Sequence, residues 1–112
     1  MIRECEFSDE SGHKFYSRSW IPENTPVATV YFCHGLGEHT GRYDALFEKF
    51  NEADIQVFSF DSRGYGRTVK LNGREGDIGG YSMIEKDIST FIDQFPSDTP
   101  KILVHPTGLN FD

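Results

Sequence analysis

Two glycine-bearing turns hold the residues best suited to chemistry. The first reads His34-Gly35-Leu36-Gly37-Glu38-His39-Thr40-Gly41 and the second Asp61-Ser62-Arg63-Gly64-Tyr65-Gly66. Each follows a short run of β-forming residues. Glycine has no Cβ, so backbone N–H groups in such turns can approach a ligand closely. The first turn also leads into a helical pattern, and a helix N-terminus favours negative charge. These features suit an oxyanion or a phosphate. They would equally serve only to pack a helix on a sheet.

The elements that must position these turns are legible. Arg3 to Phe7 alternates charged residues with Cys5 and Phe7, and Lys14 to Trp20 alternates again. With turn material at Asp9-Glu10-Ser11-Gly12 between them, they predict a β-hairpin. Val27 to Cys33 is a continuous β-forming run, which predicts a strand covered on both faces. Tyr43, Leu46, Phe47 and Phe50 give one apolar helix face. Ile55 to Phe60 predicts another strand, and Val69 to Gly80 a loop. Ile84, Ile88, Phe91 and Phe95 predict a second helix, capped by Ser82 with Glu85 and ended by Pro96. Lys101 to Val104 reads as one more buried strand. Strand, helix, strand, helix, strand predicts an α/β fold with crossovers over a parallel sheet. Ligands bind such sheets beyond the carboxyl ends of the strands, where both turns lie.

Two chemistries compete for the first turn. In dinucleotide binding, Gly35 and Gly37 would cradle a pyrophosphate. Asp61, 24 residues after Gly37, would then take the ribose. The fingerprint needs a third glycine where Thr40 stands, and Glu38 would repel the phosphates. In acyl transfer, His-Gly-x-Gly after a strand supplies a backbone N–H of an oxyanion hole. Here the sequence resembles a known family. His34 to Tyr43 is similar to the HGxGEHxGRY segment of monoglyceride lipases and related lysophospholipases, which are α/β-hydrolases. Asp61 to Thr68 resembles their DxRGxGxS segment, with Thr68 in place of serine. The likeness runs from about residue 15 to 104, leaving 105–112 as a divergent tail. It covers less than half of a family domain, so residues 1–112 are expected to form its N-terminal part. The resemblance implies an oxyanion donor at the Leu36 N–H, and Glu38 and Arg42 against a glycerol-like head group. His34, Gly35, Gly37, Asp61, Arg63 and Gly64 would shape the loops. It also implies a monoacylglycerol or lysophospholipid substrate and no cofactor.

The pattern breaks after the last strand. The family needs a nucleophile elbow, Gly-x-Ser-x-Gly, at that point. Here the stretch is Val104-His105-Pro106-Thr107-Gly108, with Pro106 where serine is expected. Ser82, in Gly80-Tyr81-Ser82-Met83-Ile84, looks like an elbow. It lacks the final glycine and a preceding buried strand, and it reads better as a helix cap. The acid and histidine of the triad would lie further downstream. The chain is therefore expected to be inactive alone. A truncated, spliced or frame-shifted product, or a gene fragment, would each look like this. A non-catalytic module that binds lipid or a partner chain is the alternative.

Composition bounds the rest. The 112 residues carry a net charge of −7 and ten Phe, enough apolar material for one small core. No basic face is present for nucleic acid. No apolar run is long enough to span a bilayer. The N-terminus lacks the pattern of a secretory leader, which favours a cytoplasmic protein, at most peripheral to a membrane. Cys5 and Cys33 read as reduced, mostly buried thiols. His13, His39 and Asp61 have no metal-ligand spacing. The strand from Lys101 would be an apolar sheet edge, which invites self-association.

Overall fold

The computed structural model describes residues 1–34, 43–62, 67, 68, 71 and 81–104, with backbone alone at 81 and 82. Strands β1 (Ile2–Ser8) and β2 (Lys14–Trp20) form the expected hairpin, with Ile2 opposite Trp20 and Ser8 opposite Lys14. Its turn is organised by Asp9. One carboxylate oxygen accepts from the Ser11 N–H at 2.9 Å, the Ser11 hydroxyl at 2.7 Å and the His13 N–H at 3.0 Å. Gly12 supplies the positive φ of +85° that closes it.

Strand β3 (Ala28–Cys33) leads to helix α1 (Asp44–Glu52). Strand β4 (Ile55–Phe60) leads to helix α2 (Tyr81–Gln94), and β5 (Lys101–Val104) follows. The five strands lie in the order β1-β2-β4-β3-β5. Strands β4, β3 and β5 are parallel, and the hairpin joins through an antiparallel β2–β4 pair. The chain steps from β3 to β4 on one side, then returns past β3 to β5. The carboxyl end of β3 is thus the point where the strand order reverses, and ligands bind such sheets there.

Strand alternation divides the core into two layers. Tyr31, Cys33, Phe58 and Phe60 point to one face, where they meet Phe7 and Phe15 of the hairpin and Ile88 and Phe91 of α2. The Phe60 and Phe91 ring centroids are 4.5 Å apart, and those of Phe7 and Phe15 are 5.0 Å apart. Val30, Phe32 and Val57 point to the other face, with Trp20 and Phe47 of α1. Each fully buried aromatic ring adds roughly 2–3 kcal/mol relative to exposure.

Four expectations need correction. Strand β5 is not buried: Ile102 is 51% and Leu103 44% exposed, and among the described residues only β3 pairs with it. Leu46 points outward at 39% exposure, so α1 buries a narrower stripe centred on Phe47. Helix α2 begins at Tyr81, which puts Ser82 inside its first turn and not ahead of it. Leu71, within the stretch read as loop, is helical, as are Arg67 and Thr68. The rest of 69–80 lies outside the described residues.

Candidate functional site

The described part of the site lies at the carboxyl ends of β3 and β4. His34, the residue after β3, is 2% exposed, and Asp61, the residue after β4, is also 2% exposed. The Ser62 backbone N–H donates to His34 Nε2 at 2.7 Å. An acceptor nitrogen carries no proton, so His34 is the neutral imidazole with its hydrogen on Nδ1. The same Nε2 lies 3.9 Å from an Asp61 carboxylate oxygen. With the nitrogen already accepting a hydrogen bond, that proximity is not an ion pair. The ring therefore ties the start of the first turn to the start of the second.

Asp61 turns inward. One carboxylate oxygen accepts from the Arg67 N–H at 2.8 Å, which caps the helical turn at Arg67 and Thr68. The Asp61 N–H donates to the Tyr16 carbonyl at 2.9 Å. Thr68, wholly buried, donates its hydroxyl to the Asp61 carbonyl at 2.7 Å and accepts from the Tyr16 N–H at 3.0 Å. A buried, capping carboxylate cannot reach a ribose hydroxyl, so the geometry disfavours the dinucleotide reading. Arg67 also lies over the Tyr16 ring, 4.7 Å from its centroid, and pairs with Glu4 at 3.4 Å. Burial and a hydrogen bond to Glu4 push the Tyr16 hydroxyl up to about 12.

The exit of the first turn is also anchored. The Tyr43 ring packs on Phe32 at 4.6 Å and on Phe47 at 6.2 Å. Asp44, in the first turn of α1, pairs with Arg18 of β2. A carboxylate there suits the helix dipole. Arg18 also sits 5.5 Å above the Trp20 ring centroid. Both ends of the first turn thus rest on the sheet.

Of the residues proposed from sequence, the structure brings His34 and Asp61 together, with Ser62 between them. Gly35, Leu36, Gly37, Glu38, Arg42, Arg63, Gly64 and Pro106 lie outside the described residues. Sequence reasoning missed the structural part played by Thr68 and the Tyr16 backbone. The only signal was a hydroxyl residue at the last position of the second motif. Among the described residues, no group of three or more His, Cys, Asp or Glu could hold a metal ion. Burial raises the Cys33 thiol well above its ordinary value, so it is not a nucleophile.

Comparison with known proteins agrees with this geometry. Residues 24–107 match the family described as serine aminopeptidase, S33. The monoglyceride lipase homolog of Monkeypox virus is 33% identical over 108 residues, covering 96% of this chain and 38% of the viral protein. The monoglyceride lipase of Mus musculus is 30% identical over 97 residues, covering 87% of this chain and 31% of the enzyme. A solved lipase in its open form superposes with a TM-score of 0.86 at 28% identity, over 96% of this chain and 36% of that one. The chain therefore spans about a third of the length of these proteins. It belongs to the serine aminopeptidase S33 family, within which it is similar to the monoglyceride lipases and carries the N-terminal part of an α/β-hydrolase fold.

Proposed function

We propose that this chain supplies the oxyanion turn of a carboxylic ester hydrolase that acts on monoacylglycerols or lysophospholipids. The observation that carries the reading is the 2.7 Å bond from the Ser62 N–H to His34 Nε2. It joins the two motif-bearing turns at the point where the strand order reverses. On this reading the Leu36 N–H faces the developing oxyanion, where one such donor contributes roughly 3–4 kcal/mol to the transition state. Glu38 and Arg42 seat the polar head group. His34 braces the turn as a neutral acceptor, so it does not serve as the general base. Gly35 and Gly37 let the backbone approach the carbonyl, and Arg63 and Gly64 shape the neighbouring loop.

Pro106 stands where the resemblance places the nucleophile, and proline has none to offer. This favours binding of an acyl lipid without turnover by residues 1–112, with nucleophile, acid and base outside them. No described helix is long and apolar enough to cross a membrane. We place the chain in the cytoplasm, meeting lipid at a membrane surface.

The test pairs a binding measurement with a chemical one. Titration with a monoacylglycerol should shift the amide resonances of Gly35, Leu36 and Gly37, while NAD should not. A serine-directed fluorophosphonate and a chromogenic short-chain ester should give neither labelling nor turnover above a Leu36→Pro control. Stoichiometric serine labelling with turnover would show that the nucleophile has been misplaced. Absence of any lipid-induced shift would sink the binding reading.

A further inference from the structure

We infer that His34 is an acid-operated latch between the two glycine-bearing turns: protonation exchanges its bond from the Ser62 N–H for a bond to the Asp61 carboxylate and releases Ser62. The latch is built at the carboxyl ends of β3 and β4, and it is independent of which ester the site takes. With the ring neutral, Nε2 accepts from the Ser62 N–H at 2.7 Å. An imidazolium has a hydrogen on both nitrogens and accepts nothing. Two N–H groups would then point at each other across that distance. The Asp61 carboxylate oxygen lies 3.9 Å from the same Nε2. Closing by roughly 1 Å gives the about 2.7–2.9 Å of a charge-assisted bond. The ring thus has one partner for each protonation state.

Asp61 is the fixed member of the three. Its other carboxylate oxygen accepts from the Arg67 N–H at 2.8 Å, and its own N–H donates to the Tyr16 carbonyl at 2.9 Å. The exchange therefore displaces the ring and Ser62 and leaves Asp61 in place. Ser62 is half-buried, so water can meet its N–H once the ring has let go.

Strand alternation puts His34 and Asp61 on the face of Val30, Phe32 and Val57. The hairpin and the Arg67 turn bring Tyr16, Arg18 and Arg67 to that face. Arg67 pairs with Glu4 and Arg18 with Asp44. The Tyr16 hydroxyl, pushed up to about 12, does not titrate in acid. Asp61 is thus the carboxylate beside the ring among the described residues. In sequence, Glu38, His39, Arg42 and Arg63 follow closely behind the two ends.

The test is acidification of the full chain from about pH 8 to about pH 5, the range in which imidazoles titrate. Nuclear magnetic resonance reads the His34 ring nitrogens and the Ser62 amide. Nε2 should be unprotonated at the upper end and the ring protonated at the lower. Protection of the Ser62 amide against hydrogen exchange should be lost with the same midpoint. Circular dichroism should stay constant across that midpoint, which separates the latch from acid unfolding. His34→Gln offers an amide oxygen in place of Nε2 and cannot be protonated there, so Ser62 should stay protected throughout. His39→Gln should leave the midpoint unchanged. Asp61→Asn keeps an acceptor for the Arg67 N–H but removes the charge that receives the imidazolium. Its midpoint should fall by about 1 pH unit or more. A ring that stays neutral until the chain unfolds would overturn the proposal. So would a Ser62 amide that does not follow the ring, a transition that survives His34→Gln or vanishes with His39→Gln, or an unmoved midpoint in Asp61→Asn.

Discussion

Replacing Thr68 by valine removes one hydroxyl and almost no volume, so its effect isolates the polar link between hairpin and site. That hydroxyl accepts from the Tyr16 N–H at 3.0 Å and donates to the Asp61 carbonyl at 2.7 Å, at a residue with no exposed surface. Valine leaves a buried N–H and a buried C=O without this partner. Each such group costs roughly 1–3 kcal/mol, so Thr68→Val should destabilise by about 2–6 kcal/mol. A domain of this size has about 5–15 kcal/mol in total, so the variant stands close to unfolding. Thr68→Ser keeps both bonds and loses one methyl group, worth about 1 kcal/mol. Urea denaturation of the three proteins reads these differences as shifts of the midpoint. The expected order is wild type, then serine, then valine, with valine well separated. If valine costs no more than serine, the hydroxyl is not what joins β2 to the second turn.

Two further outcomes follow from burial and charge. The Tyr16 hydroxyl, pushed up to about 12 by burial and by its bond to Glu4, stays protonated in the folded chain above the ordinary value of 10.0. The folded state then holds a proton that the unfolded state has lost, so stability should fall as pH rises from 10 towards 12. Burial raises the Tyr31 hydroxyl too, so ultraviolet titration should show Tyr16 and Tyr31 among the five tyrosines ionising late; five equivalent titrations would contradict this. Cys33 is 1% exposed and its thiol is raised by burial, whereas Cys5 is only half-buried. A thiol reagent should therefore label one cysteine per folded chain, and rapid labelling of Cys33 would mean that its core layer is open.

Much of the scaffold was legible because apolar spacing alone specifies it. Phe7 with Phe15, and Tyr31 and Cys33 with Phe58 and Phe60, alternate on strands as a two-sided sheet requires. Ile88 and Phe91 meet them from a helix with the predicted face. Errors fell where periodicity carries no information. Lys101 to Val104 has the composition of a buried strand, but burial depends on neighbours, and among the described residues β5 has a strand on one side only. Leu46 fits the helical stripe, yet it is Phe47 that α1 buries in the layer with Val57 and Phe32, with Tyr43 and Phe50 packed against it. At the site, motif spacing singled out His34 and Asp61 as candidates, which lie side by side in the fold. It could not show that Asp61 faces inward to Arg67, because the turn between them is held in place by the Tyr16 backbone, far away in sequence.

The strand that precedes the first turn is supported on both sides. Strand β3 is paired on both sides, and Val30, Tyr31, Phe32 and Cys33 are at most 2% exposed. The turn that follows it starts from His34, held by Ser62, and ends at Tyr43, held by Phe32. An oxyanion donor must sit within about 2.7–3.1 Å of its oxygen, and anchors at both ends are what such a tolerance demands. Strand β5 leads towards the position of the nucleophile; among the described residues β3 is its strand neighbour, and Ile102 and Leu103 are exposed. Binding and ester hydrolysis are therefore separable, because Pro106 stands where the resemblance places the nucleophile: a chain that binds lipid without cleaving it keeps the oxyanion turn, and one that ignores lipid refutes it.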